Sequence, residues 1–334
     1  MKTPQTPQTL RRWGRLSTSA AAVTVLSVTA SGCMVVHGER EILPGATKTE
    51  AARALKDFTA AYNEANAAND QALDADRVTG PLADIDGAKL RAGAKNQPGG
   101  NPDYAPLKLT DTEFTIPKKA GWPRWFVADS QANKGSDNTR WLLVFTRGGA
   151  EEVWEVSYLT ILAADEVPEF KKDKDGWAEP VTANAGDLAV PPQDLAETYA
   201  TYLQEGGAAF APGTHTSAWR DARQKNAEKP GLVRQYLDEP LTSGDYAPLG
   251  LRTTDGSALV FFTTRHYEKQ TAAQGVPLNV SDANVKALMT GEAKQSITLE
   301  SVSNQAVLDP GPGAADQKVE FLARIQGLTG AKGE

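Results

Sequence analysis

The chain has 334 residues, 40% of them hydrophobic and 23% charged, with 42 acidic against 35 basic side chains and a net charge of −7. That length allows two domains of ordinary size, and that acidity excludes the basic footprint of a nucleic-acid binder. With one cysteine and three scattered histidines, no tetrahedral zinc site can be drawn.

The chain opens with Lys2, Arg11, Arg12 and Arg15, then a small-residue and aliphatic run from Ala20 to Ala30, then Ala30-Ser31-Gly32-Cys33. The run is too short, and too interrupted by Ser and Thr, for a permanent membrane span. A basic start, a short apolar core and small residues at the end mark a removed export signal. The pattern resembles a bacterial lipoprotein signal peptide, although Ala30 stands where that family usually has Leu. The resemblance implies a signal peptide over 1–32, a mature chain starting at Cys33, and palmitate-type lipid on that cysteine. It also implies anchorage on the extracytoplasmic face of the cell membrane. An ordinary secretory signal with Cys33 incidental is the alternative. The lone thiol favours lipidation, because acylation removes an unpaired thiol from an oxidising exterior. Arg11-Arg12 is a poor twin-arginine signal, since Gly14 and Arg15 interrupt the apolar residues that should follow. Without the four basic residues of the signal, 31 basic face 42 acidic side chains, a net charge near −11. Anionic headgroups should repel such a chain, so its membrane contact would be the lipid itself.

Residues 34–46 read as a polar tether, and a first α+β domain is expected over 47–165. Thr47 and Glu50 form a capping box, and Ala51, Leu55, Phe58, Tyr62 and Ala65 follow helical spacing. The stretch 112–140 reads as an inserted hairpin or long loop, with Trp122 and Trp125 flanking Pro123. A strand over 141–147 and the alternation of Trp154, Val156 and Tyr158 flank a Gly148-Gly149 hairpin, the latter strand with one covered face. Residues 166–191, charged and ending at Pro191-Pro192, read as a linker.

A second α+β domain is expected over 192–327. Leu195, Tyr199, Tyr202 and Leu203 make a helix stopped by Gly206-Gly207, and a charged helix around 217–228 carries Trp219. Strands follow over 259–265, 296–307 and 319–325, with an inserted helix over 281–290 and a turn over 309–317. Gly327 to Glu334 should fray.

The two halves share matches in the same order. Asp103-Tyr104-Ala105-Pro106-Leu107 recurs as Asp245-Tyr246-Ala247-Pro248-Leu249, and Leu55, Asp57 and Tyr62 match Leu195, Glu197 and Tyr202. The run 141–147 matches 259–265 if the first copy carries an insertion. Helices first and an antiparallel sheet after is an α+β order. It resembles the cone-shaped fold of nuclear transport factor 2-like domains. The whole chain is similar to uncharacterised tandem-domain lipoproteins of high-GC Gram-positive bacteria. Neither resemblance implies an activity.

No catalytic residue, metal ligand or cofactor emerges. His37 lies in the tether, His215 at a helix start, and His266 at a strand end beside Tyr267 and Glu268. No Gly-x-Ser-x-Gly elbow, phosphate loop or Ser-x-x-Lys unit accompanies them. Asp84-Ile85-Asp86-Gly87 and Asp173-Lys174-Asp175-Gly176 lack the further ligands of a calcium loop and read as turns. The suggestive cluster is aromatic. Trp141 and Trp154 lie on alternating strands and read as core, while Trp122, Arg124, Trp125 and Phe126 are the candidate binding residues. The reading is therefore a membrane-anchored extracytoplasmic protein that binds or scaffolds at the cell envelope. Its partners would be the membrane, through Cys33, and an envelope protein or cell-wall component. The alternatives are an enzyme with a pocket around His266, or a small-ligand carrier with a cavity lined by Trp141 and Trp154.

Overall fold

Ile42–Pro44 (β1) begins the fold by pairing with Lys118–Ala120. The computed structural model describes residues 41–136 and 138–334. The signal segment, Cys33, His37 and residues 34–40 of the expected tether lie outside the described residues. Residues 41–46 are part of the fold and not of a free tether. Ala46 is buried, and the Gly45 amide donates to the Pro117 carbonyl.

Thr47 caps Lys48–Ala68 (α1) with the reciprocal Glu50 bond that a capping box requires. Gly80–Asn96 (α2) follows, with Pro81 in its first turn. Next come β2 (Leu109–Thr115), β3 (Lys118–Ala120), β4 (Arg124–Ala132), β5 (Thr139–Arg147) and β6 (Glu155–Ala163). They give an antiparallel sheet in the order β2-β4-β5-β6. The stretch 112–140 is thus no inserted loop. Much of it is strand, and Trp125-Phe126-Val127-Ala128 is the apolar run of a strand covered on both faces.

The second half adds β7 (Pro180–Val181), α3 (Leu195–Glu205), α4 (Ser217–Ala227), β8 (Glu228–Lys229), β9 (Leu232–Leu241), β10 (Leu249–Arg252) and β11 (Ala258–Ala272). It ends with α5 (Ala283–Leu288), β12 (Met289–Gly291), β13 (Ser296–Asp309) and β14 (Glu320–Gly333). The sheet order is β12-β14-β13-β11-β10-β7, with β9 also on β11 and β8 on β9. The molecule is an α+β fold. In the first half two helices lead to the pentapeptide and then the antiparallel meander, whereas in the second β8 and β9 come between the helices and the pentapeptide, which runs into β10. By place in the meander β11 corresponds to β4, whereas sequence likeness pairs it with β5.

Three apolar clusters hold these layers. α1 packs Phe58 onto Phe126 and Phe145, which stack at 4.7 Å. α3 packs Tyr199 and Leu203 onto the second sheet. The third cluster joins Trp125, Val127, Leu142, Val144 and Tyr158 of the first sheet to Leu251, Leu259 and Phe261 of the second. β6 is consequently buried on both faces, where one was expected. The expected linker is packed as well: Leu188 and Val190 are buried, and β7 adds a strand to β10. The C-terminus does not fray. β14 stays paired to Gly333, and the Lys294, Gln295 and Ser296 amides donate to the Glu334 carbonyl.

Candidate functional site

α4 lies across one face of β9, and the gap between helix and sheet is a cleft of about 370 Å³. Alternation along β9 turns Arg234, Tyr236 and Asp238 toward it and leaves Val233 and Leu237 exposed. Register then places Asp238 opposite His266 on β11, and Glu268 opposite Tyr236. Arg223 descends from α4 and grips Asp238 with two hydrogen bonds, of 2.7 and 2.9 Å. His266 Nδ1 is 2.6 Å from Asp238 Oδ1, and its Nε2 is 2.7 Å from Ser303 Oγ.

These contacts set the proton positions. Asp238 is held ionised, below the usual carboxylate range, by hydrogen bonds from His266 and Arg223 that outweigh its burial. His266 Nδ1–H therefore donates to it, and Nε2 accepts from a hydroxyl. Burial pushes His266 below its ordinary value, against the pull of Asp238, and keeps it neutral. The trio has the connectivity of a Ser-His-Asp set, but Ser303 is 0% exposed. Its Oγ is enclosed by Thr264 and Gln305 as well as His266. A nucleophile must reach its substrate, and this one is sealed.

Trp219 forms the roof. The Arg223 and Arg324 guanidinium carbons lie 3.8 and 3.5 Å from its ring centroid. At such distances they must cover opposite faces, so the indole is sandwiched. It meets His266 edge-on at 5.0 Å. The groups free for a ligand are the Tyr236 hydroxyl, Ser301, Gln326 and one oxygen of Glu268, above the apolar Leu299 and Leu328. Arg234 occupies the other Glu268 oxygen.

A second arrangement surrounds Trp122. The Arg124 and Arg147 guanidiniums lie 4.7 and 5.2 Å from its ring, and Arg147 lies 4.7 Å from Trp154. Beside Arg147 is a cavity of about 310 Å³ between α1 and the 148–154 hairpin.

Residues 43–333 match the family described as Domain of unknown function (DUF8094). The chain belongs to that family. An uncharacterized lipoprotein of Streptomyces avermitilis is 67% identical over 325 residues, 97% of each chain. An uncharacterized lipoprotein of Streptomyces coelicolor is 61% identical over 331 residues, 99% of this chain and 98% of that one. Another from Streptomyces coelicolor is 26% identical over 234 residues, 66% of this chain and 64% of that one. No solved structure matches the chain, so the nuclear transport factor 2-like resemblance stands on element order alone. None of the described DUF8094 helices is long and apolar enough to cross a membrane.

The DUF8094 structure divides the candidate binding residues. Trp122 and Arg124 are only partly buried, but Trp125 and Phe126 are buried and unavailable to a partner. They alternate on β4, so each packs into a different core. Trp141 and Trp154 both pack in the first apolar cluster, and Trp154 also borders the 310 Å³ cavity beside Arg147. Sequence reasoning reached Trp219, His266 and Glu268 but missed Arg223, Asp238, Ser303 and Arg147. The alternation of Arg234, Tyr236 and Asp238 is the signal that could have found β9 as a strand with a polar inner face.

Proposed function

We propose that this DUF8094 chain is a lipoprotein, anchored through Cys33 on the outer face of the membrane. In this reading it binds a small uncharged, hydroxyl-bearing ligand in the cleft beneath α4. The anchor is supported by the lipobox-like Ala30-Ser31-Gly32-Cys33 and by the printed names of the Streptomyces relatives. The ligand reading rests on one observation: the cleft's charges are engaged inside the protein while its neutral polar groups are free. Arg223 holds Asp238, Arg234 holds Glu268, and both nitrogens of His266 have partners. The side chains of Tyr236, Ser301 and Gln326 make no hydrogen bond among the described residues. A ligand with hydroxyls and an apolar face matches that lining, and the cleft lies within the ~300–1,000 Å³ of small-molecule sites.

Binding fits this geometry better than catalysis, which would need Ser303 exposed. Two measurements test the reading. Cys33→Ser protein should move from the membrane to the soluble fraction, and retention in the membrane would overturn the anchor. Neutral mono- and disaccharides, titrated while tryptophan fluorescence is followed, should include one that saturates. The Glu268→Gln/Gln326→Ala double variant should weaken that binding about tenfold, equivalent to ~1.4 kcal/mol of lost hydrogen bonding. A flat response across the panel would reject the ligand class.

A further inference from the structure

The cleft beneath α4 does not end at Glu268. Glu268 and Gln270 are two residues apart on β11, so both side chains stand on the face that α4 covers. Gln270 Nε2 donates to Glu268 Oε1 at 2.8 Å. Register places Leu299 of β13 opposite Glu268, and Ile297 opposite Gln270. Paired residues of an antiparallel sheet share a face, so the floor of the cleft runs on past α4. It leads into a second cavity, of about 170 Å³, that Gln270, Ile297 and Leu299 line. Leu299 borders both cavities.

The second cavity is walled by the segment between β11 and α5. Leu278 and Val280 are half-buried there, while Asn279 between them is exposed. That alternation turns the two aliphatic chains onto the floor, and Val285 of α5 completes the wall. Polarity therefore falls along one groove. Under α4 stand the unpaired Tyr236, Ser301 and Gln326. Beyond Glu268 five aliphatic side chains converge: Leu278, Val280, Val285, Ile297 and Leu299. None of the five belongs to the three apolar clusters that hold the fold, and all but Ile297 remain partly exposed. The one charged residue of this lining, Asp282, accepts the Val285 amide as the cap of α5. Apolar surface that no core claims, continuous with a polar cleft, matches a ligand with two unlike ends.

We propose that the groove holds an amphiphile, with an uncharged hydroxyl-bearing head under α4 and an alkyl chain laid over Leu299 and Ile297 into the second cavity. The head rests on the ligand reading of the cleft, and the chain is added to it here. A free fatty acid fits poorly. Its carboxylate would come up against Glu268, and the nearby cations Arg223 and Arg234 are already held by Asp238 and Glu268.

Calorimetric titration of the full-length Cys33→Ser protein with methyl, hexyl and octyl β-D-glucoside, below the micelle threshold and free of other detergent, tests the proposal. Each methylene buried should tighten binding about fourfold, so octyl glucoside should bind at least tenfold more tightly than methyl glucoside. Val280→Ser/Val285→Ser should erase that gain, and Glu268→Gln/Gln326→Ala should weaken every member of the series alike. An octyl glucoside with a diazirine at its chain end should label residues 278–299 on irradiation, which places the chain without any substitution. No gain from methyl to octyl overturns the proposal and leaves the reading of the head standing. A gain that survives the Val280/Val285 variant, or that ignores the Glu268/Gln326 variant, overturns it. So does a flat response to all three glucosides, or labelling at Val233 and Leu237 on the other face of β9.

Discussion

Asp238 receives two hydrogen bonds from Arg223 and one from His266, and its side chain is 1% exposed. Removing one partner of such a buried pair leaves an uncompensated charge, and the usual loss is about 3–5 kcal/mol. Arg223→Met should therefore lower the free energy of urea unfolding by roughly that amount. The same variant reports on His266. Arg223 helps hold the imidazole below its ordinary value, and Asp238 pulls the other way. Without Arg223 the His266 titration, followed by NMR, should move upward. In the parent the depressed histidine contributes stability above the ordinary imidazole range, near 6.5. That contribution is lost as pH falls through the folded value. In Arg223→Met the acid-side loss should shrink, and an unmoved His266 titration would remove Arg223 from the proton logic of the cleft.

At the scale of elements, helix ends were legible because their signals are local. Thr47 with Glu50 and the Gly206 stop are side-chain and backbone preferences that need no distant partner. β4 was not legible, because Pro123 and Gly121 read as loop residues and only the second sheet explains why four apolar residues follow. The cleft failed for a related reason. Asp238 meets His266 through the register of β9 on β11, which no local pattern specifies. β14 shows the same dependence, since its last residues are held by pairs such as Leu299 with Ala331 and Ile297 with Gly333. Deleting residues 328–334 should lower the melting temperature by about 5–10 °C in a thermal scan.

The helix pair α1–α2 carries a second pH device. Asp74 and Asp86 are both buried. Burial first, and Asp86 second, push Asp74 up to about 7, while Lys89 lies 3.5 Å from Asp86. Protonated Asp74 thus donates to the Asp86 carboxylate. A raised carboxyl stabilises fully below the unfolded value of ~3.9, and this is lost as pH rises through about 7. Asp74→Asn keeps a donor and cannot ionise. Its stability relative to the parent should climb between those limits by about 1.4 kcal/mol per pH unit, measured by urea unfolding at pH 5 and 8.

The whole molecule uses its two copies of the pentapeptide unequally. Tyr104, in the first pentapeptide, donates to Asn63 on its own α1. Its counterpart Tyr246 donates across to Asp84 on α2, and the neighbouring Asp245 accepts from Thr79. Tyr158 returns the link by donating to the Tyr246 and Ala247 carbonyls, and Asn304 donates to the Leu159 carbonyl. Around these bonds lies the apolar cluster shared by both sheets. A half taken alone would expose Trp125, Val127, Leu142 and Val144, which are now buried. At about 25 cal/mol per Å², a few large side chains moved into water forfeit most of a domain's net stability of ~5–15 kcal/mol. The intact protein should therefore unfold in one cooperative transition by urea, with fluorescence and circular dichroism coincident. Residues 47–165 and 192–334 produced separately should each bind a hydrophobic dye and lack near-ultraviolet circular dichroism. Mixing them should restore that signal if the shared cluster is what holds each half. Two separately cooperative halves, each dye-free, would show that the cluster is only a contact between finished domains.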